Sequence, residues 1–411
     1  MKNRYKLLIV LAIGVLITGL YFVDVLIADR YDIELVQMTP ETVPADGQTS
    51  VEITLRVTRN GEAKSGHTLY GLSKNGGGFK STRLVTDQNG EVTFLYYPYL
   101  KTTLNTLTDV VLKFTDESNS IFVSVHTFQY GDIYFNSGHD NNRWALKSGM
   151  GYKYTLFYEG TYFHENQIAV TYLHSEPWTG FKPDYEGDNL PNVIDKLKKG
   201  ENVKIVYYGD SITKGGNASG MFGVAPNMPI WAEMVTQRLK QAYPKANITM
   251  YNPAENATDS TQGLKDCKVK VANQKPDLVI MGYGMNDGTN SKLTPAAYQN
   301  NIKMIREMVR ALYSKQTDFI LIATTLPNPE IKLGDASYQA EYESVLYELE
   351  QKGTLGGEGG TIVANMTKTH QELLKQKRFF DMTANNVNHP NDFLVRAQAQ
   401  NVLSLLIENY Q

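Results

Sequence analysis

Three short stretches of this 411-residue chain set reactive side chains beside turn-forming residues. The first, Tyr208-Gly-Asp-Ser-Ile-Thr213, follows a short apolar run. Gly209 permits a tight turn, so Ser211 stands where a strand gives way to a helix or loop. A serine there either caps a helix start by accepting a backbone N–H or offers its hydroxyl as a nucleophile. The second stretch is Gly282-Tyr-Gly-Met-Asn-Asp287. Asn286 is either a turn residue or an N–H donor aimed at a developing oxyanion, a role worth about 3–4 kcal/mol per donor. The third is Asn386-Val-Asn-His-Pro390. Pro390 holds its predecessor extended. His389 is either a surface residue or the imidazole that takes a proton from serine. Asp210 and Asp287 read as residues that hold loops rather than react.

The elements that must position these stretches follow from periodicity. Short apolar runs at Val203–Tyr208, Ile248–Tyr251, Leu278–Gly282, Phe319–Thr324 and Thr361–Asn365 read as strands. Helical stretches lie between and after them, at Trp231–Gln241, Leu264–Asn273, Ala296–Tyr313, Ala336–Lys352, Met366–Lys377 and Asp392–Tyr410. Strands alternating with helices of this length predict a parallel sheet covered on both faces. Function in such sheets gathers in loops at the carboxyl ends of strands, where all three stretches fall.

Gly-Asp-Ser early in this unit, Gly-x-Asn-Asp in its middle and His-Pro near its end resemble the SGNH (GDSL) hydrolase family over about 210 residues. The resemblance implies a flavodoxin-like three-layer α/β/α fold and an acyl-serine ester hydrolysis that needs no cofactor. Ser211 would be the nucleophile and His389 the general base. The backbone N–H of Ser211, the N–H of Ala257 and the side chain of Asn286 would form the oxyanion hole. Two positions depart from the family pattern. Where the family supplies an oxyanion-hole glycine, this chain has Asn252-Pro-Ala-Glu-Asn-Ala-Thr-Asp-Ser260. Ala257 keeps the N–H and serves if the backbone needs no positive φ, and Asn256 is the alternative donor. Where the family has an aspartate three residues before the histidine, this chain has Asn386. An amide orients the ring without supplying charge, so a Ser–His pair aided by Asn386 is expected. Asp392, read chiefly as a helix cap, and the more distant Asp381 are the other acids nearby.

The N-terminal half reads differently. Lys2, Arg4 and Lys6 precede an apolar run from Leu7 to Val23 that continues past Asp24 through Val25 to Ala28, long enough to cross a bilayer. The basic flank on one side predicts a single-pass anchor in the cell membrane at residues 1–30, with the rest extracytoplasmic. A cleaved signal peptide and a secreted chain is the competing reading. Residues 31–130 are expected to be all-β. Val51–Val57 alternates apolar and polar residues, and Thr93–Tyr97 and Ile121–Val125 are β-branched and aromatic. Pro44-Ala-Asp-Gly-Gln-Thr-Ser with Thr86-Asp-Gln-Asn-Gly90 resembles the bacterial Ig-like repeats of invasin-type surface proteins, which implies a β-sandwich spacer or adhesive module. Residues 131–197 are expected to be a β-rich accessory region. There His164, His174, Trp178 and Tyr185 either line a sugar site or pack a core. The hydrolase-like domain is expected at 198–411.

Composition excludes some classes. With 40 basic and 43 acidic residues the formal charge is −3, without the basic excess of a nucleic-acid binder. The seven histidines form no H-E-x-x-H or H-x-H, so no metal site is expected. Gly356-Gly-Glu-Gly-Gly360 lacks the Lys-Ser/Thr of a phosphate loop and reads as a flexible connection. The expected substrate is a small acyl ester or acylated glycan, with cell-wall polysaccharide as the surrounding partner. The rival readings are an O-acyltransferase built on the same site and a non-catalytic adhesion or binding protein.

Overall fold

The computed structural model describes residues 31–40, 42–44, 48–73, 78–97, 128–136, 145–146, 155–156, 167–173, 180–223, 227–329, 338–375, 379, 382–385 and 387–410. The expected anchor at 1–30, the strand at Ile121–Val125, and His164, His174 and Trp178 lie outside these residues. Among the described residues, no helix is long and apolar enough to cross a membrane.

The N-terminal strands build two sheets. Val51–Arg59 runs antiparallel between Tyr31–Thr39 and Glu91–Tyr97. Val51, Ile53, Leu55 and Val57 are all fully buried while their neighbours face outward, as the period-2 pattern predicts. In the second sheet, Thr68–Ser73 pairs with Arg83–Val85 and with Phe128–Asn136. Gln167–Leu173 pairs antiparallel with Phe128–Asn136 and parallel with Thr42–Pro44. Strands on both sides of residue 130 therefore share one sheet. Val43, Leu69 and Leu84 of this sheet join one apolar cluster with Phe94 and Tyr96 of the first.

The C-terminal half begins with helix α1 (Pro191–Lys199), which the strand–helix alternation did not reveal. In chain order there follow β1 (Asn202–Gly209), α2 (Ser211–Lys214), α3 (Trp231–Ala242) and β2 (Asn247–Tyr251). Next come α4 (Ser260–Lys270), β3 (Leu278–Gly282), α5 (Met285–Thr289), α6 (Pro295–Leu312) and β4 (Asp318–Ala323). The last are α7 (Gln339–Tyr347), β5 (Thr361–Asn365), α8 (Met366–Leu374) and α9 (Asp392–Leu406). The five strands are parallel, in the order β2-β1-β3-β4-β5. Their side chains alternate between two cores. Val203, Ile205 and Tyr207 of β1 pack with α1, α3 and α9, whereas Val206 and Tyr208 pack with α4 and α6. Burial on both faces explains why β3, β4 and β5 read as continuous apolar runs, whereas the edge strand β2 keeps exposed residues.

The order 2-1-3-4-5 reverses direction between β1 and β3, which opens a crevice at their carboxyl ends. These ends touch. Gly209 lies opposite Gly282, and a Cβ on Gly209 would stand 2.0 Å from the Gly282 carbonyl oxygen. The Thr213 hydroxyl fills the remaining space and donates to that carbonyl at 2.7 Å.

The Gly356–Gly360 stretch departs from its expected flexibility. Gly360 N–H donates to buried Asp318 at 2.7 Å, and the Arg310 guanidinium donates to the Gly359 and Gly360 carbonyls. A Cβ at Gly360 would lie 1.8 Å from the Asn189 carbonyl oxygen. Gly359 and Gly360 serve close packing, while Gly356 takes the positive φ of a turn.

Candidate active site

Ser211 is the first residue of α2, at the end of β1. It does not cap the helix. Asp210 does, accepting the Ile212 N–H at 2.9 Å, and this leaves the Ser211 hydroxyl available. Gly215, at φ 98°, ends the four-residue helix, and the chain returns so that Gly216 N–H donates to the Ser211 carbonyl.

His389 comes from the other end of the domain, 178 residues away in sequence, and its Nε2 lies 2.9 Å from the Ser211 Oγ. Its loop is held by Asn385, a residue that the three motifs do not single out. The buried Asn385 Oδ1 accepts from the N–H groups of Val387 (2.9 Å), Asn388 (2.9 Å) and His389 (3.1 Å). The Thr383 hydroxyl donates to the His389 carbonyl at 2.6 Å, and Asn328 N–H donates to the Val387 carbonyl at 2.8 Å. The signal was present as paired asparagines, since an asparagine side chain closes turns by accepting nearby N–H groups. Asn386 and Asp381 lie outside the described residues.

Asp392 does not cap α9. Asn391 does, accepting from Phe393 and Leu394, while Asp392 accepts the Ser219 N–H at 2.8 Å. That bond ties the start of α9 to the segment following Ser211.

Asn286 lies on α5, just past β3, and is buried. Its Oδ1 accepts from Asn290, and one of its two amide hydrogens goes to the Thr258 carbonyl at 2.9 Å. The other hydrogen can serve a substrate. The Thr258 bond fixes the Asn252–Asp259 loop, which is also tied to the end of β1 by Glu255 N–H on the Gly209 carbonyl. Ala257 sits between these anchors with φ 58°. The position therefore does require the left-handed backbone that a glycine adopts freely, and alanine holds it at a cost of about 1 kcal/mol. The alanine N–H survives. Among the described residues, the N–H groups of Ser211 and Ala257 have no acceptor. Asn256 is exposed on the same loop.

Two buried carboxylates flank the crevice. Burial pushes Asp210 up to about 7, with the Ile212 N–H pulling it down and the nearby Asp287 carboxylate pushing it further up. Burial likewise pushes Asp287 up to about 6, against the donors from Ser260. Among the described residues, no group of three or more His, Cys, Asp or Glu side chains could hold a metal ion.

A serine hydroxyl in hydrogen-bond contact with an imidazole, beside unengaged N–H groups, is the constellation of nucleophilic acyl transfer. Comparison with known proteins agrees. Residues 207–392 match the GDSL-like Lipase/Acylhydrolase family. No curated protein matches the chain. Similar solved structures include a two-domain esterase active on acetylated mannans, co-crystallized with mannopentaose (17% identity, 56% of this chain and 58% of that one, TM-score 0.42). Others are a catalytic mutant of an acetylxylan esterase from Geobacillus stearothermophilus (17%, 51% and 95%, TM-score 0.39) and a carbohydrate esterase family 3 protein from Talaromyces cellulolyticus (15%, 49% and 94%, TM-score 0.38). The chain spans 58% of the length of the first of these. The C-terminal region, over residues 207–392, is thus a GDSL/SGNH hydrolase domain, the fold of a family of ester-hydrolysing enzymes.

Proposed function

We propose that this domain is a serine esterase that removes a small acyl group, acetyl above all, from a carbohydrate ester through an acyl-serine intermediate. The observation that carries the reading is the 2.9 Å contact between Ser211 Oγ and His389 Nε2 at the β1/β3 crevice. With its proton on Nδ1, the imidazole accepts the serine proton at Nε2 as Oγ bonds to the ester carbonyl carbon. The Ser211 and Ala257 N–H groups and the second Asn286 amide hydrogen stabilise the oxyanion. The tetrahedral intermediate collapses, the carbon–alkoxide bond breaks, and His389 returns the proton to the leaving oxygen. Water, deprotonated by His389, then attacks the acyl carbon, the bond to Ser211 Oγ breaks, and His389 returns the proton to Oγ as the acid leaves. Asn386 orients the imidazole as a neutral amide in this account.

The carbohydrate half of the proposal rests on location. The basic flank and apolar run of residues 1–30 support an uncleaved anchor with the domain outside the cytoplasm, facing surface polysaccharide. The β-strands of residues 31–130, read as an Ig-like spacer, and those of 131–197 would hold the domain of 198–411 away from the membrane.

The test is hydrolysis of p-nitrophenyl esters of increasing acyl length, and of acetylated glycans, by the full-length protein and its Ser211→Ala variant. The expected result is acetate release that falls by on the order of 10⁴-fold or more in the variant. Equal turnover by the two proteins would overturn the mechanism. Preference for long acyl chains would overturn the substrate class alone.

A further inference from the structure

The buried carboxylate that follows Asn286 is bonded in a way that concerns the oxyanion hole. Asp287 Oδ1 accepts the Ser260 N–H at 3.0 Å and also the Ser260 hydroxyl. Its Oδ2 accepts the Gly284 N–H at 3.0 Å. Ser260 is the first residue of α4, three residues after Ala257. Its hydroxyl is held in turn by Asn301 of α6, whose amide donates to it at 3.0 Å. Gly284 stands just before α5, two residues ahead of Asn286, with φ 127°, a conformation that strains any residue with a Cβ. A single carboxylate, fully shielded from solvent, therefore ties the segment carrying Ala257 to the segment carrying Asn286. The Asn286 bond to the Thr258 carbonyl is the second tie between the same two segments.

We propose that Asp287 is a positioning residue of the oxyanion hole, holding the Ala257 N–H and the Asn286 amide at the separation the oxyanion requires. The inference rests on the serine-esterase reading. Asp287 touches no reacting atom. It acts through two N–H groups that belong to different strand–helix connections and share no other carboxylate among the described residues. An oxyanion hole is useful only when its donors are placed before the charge develops, so the cost of misplacement falls on the transition state. Desolvation and the two segments compete for this carboxylate: burial pushes it up to about 6, and the donors from Ser260 and Gly284 draw it back toward the ionised form they need. Asparagine at 287 would keep the shape and one acceptor oxygen. Its amide would then point a donor at the N–H of either Ser260 or Gly284, and one segment would lose its anchor.

The experiment compares the full-length protein with Asp287→Asn, Ser260→Ala and Ser211→Ala. The readouts are kcat and KM for p-nitrophenyl acetate and the inhibition constant of phenylboronic acid, whose serine adduct carries an oxygen in the oxyanion position. For Asp287→Asn, kcat is expected to fall by about 10²-fold, with KM changed by less than about threefold and boronate affinity falling with kcat. Ser260→Ala keeps the backbone anchor and loses only the hydroxyl, so a smaller parallel fall of about tenfold is expected. If Asp287→Asn does not fold, Ser260→Ala decides: a parallel fall supports the proposal and an unchanged kcat overturns it. A loss carried by KM, or boronate affinity that stays at wild type while kcat drops, would also overturn it. Undiminished hydrolysis by Ser211→Ala would instead remove the esterase reading itself, so the two failures are distinguishable.

Discussion

Ser211 and Asn286 stand on the ends of β1 and β3, the central strands of the sheet, whereas His389 stands on an irregular loop between α8 and α9. The first side is held by the sheet. Its strand ends meet through Gly209 and Gly282, with no room for a Cβ on Gly209, and its helices start on buried acids, Asp210 and Asp287. The second side belongs to no sheet: one antiparallel bridge between Thr383 and Pro390 holds it, with Ala384 N–H donating to the His389 carbonyl and Asn391 N–H to the Met382 carbonyl, each at 3.0 Å. It depends on the Asn385 amide, on the Thr383 hydroxyl, and on the Leu326–Asn328 segment against which it rests. Leu326 N–H in turn donates to Nδ1 of buried His370 on α8 at 3.0 Å. The nucleophile side is thus rigid by topology and the base side by a single bridge and a few side-chain hydrogen bonds, so single substitutions should act unequally on the two.

The largest effect that would sharpen this contrast is at Asn385. Its oxygen serves three backbone N–H groups, and Asn385→Ala leaves them without it. The expected cost is about 2 kcal/mol in stability, read from urea unfolding. A fall of about 10²-fold in kcat/KM should accompany it, because a catalytic group displaced by an ångström loses that much. Asn385→Asp keeps the acceptor oxygen and should recover most of both. A wild-type rate in Asn385→Ala would break the contrast, showing that the base loop is held by other means.

A smaller effect separates the two sides by pH. Asp210 and Asp287 have folded values, about 7 and about 6, above the usual carboxylate range. Their contribution to stability is therefore complete below about pH 4 and is lost as pH rises through 6 to 7. His370 behaves oppositely. Burial lowers it to about 3, so its contribution is complete above about pH 6.5 and is lost as pH falls toward 3. Urea midpoints measured from pH 4 to 8 should fall less steeply on the alkaline side in Asp210→Asn. In His370→Gln they should fall less steeply on the acid side. If either variant kept the wild-type slope on its own side, that group would not be the source of it.

Much of this architecture is legible in the sequence. All five parallel strands are legible to within a residue or two: β3, β4 and β5 are buried throughout and have no polar interruption to blur their limits, while the edge strand β2 is mostly exposed and shows only as a short apolar run. Helix α1 was passed over although its marks are present: Pro191 at the first position and Gly200, left-handed, just past the end. The serine, the asparagine and the histidine could be named from their motifs, but their supports could not. Asn391 and Asp392 are adjacent and both able to cap, and only tertiary contact sends Asp392 to Ser219 instead. The left-handed backbone at Ala257 has no local sign in an alanine, since that strain is imposed by the anchors on either side.

The central claim is that Ser211, activated by His389, forms a covalent acyl-enzyme. A fluorophosphonate probe, followed by peptide mass spectrometry of the full-length protein, tests it most directly. The account predicts one adduct, on the peptide bearing Ser211, absent in Ser211→Ala and formed at least about 10²-fold more slowly in His389→Ala. Labelling that persists in Ser211→Ala, or that proceeds at the wild-type rate without the imidazole, would contradict it.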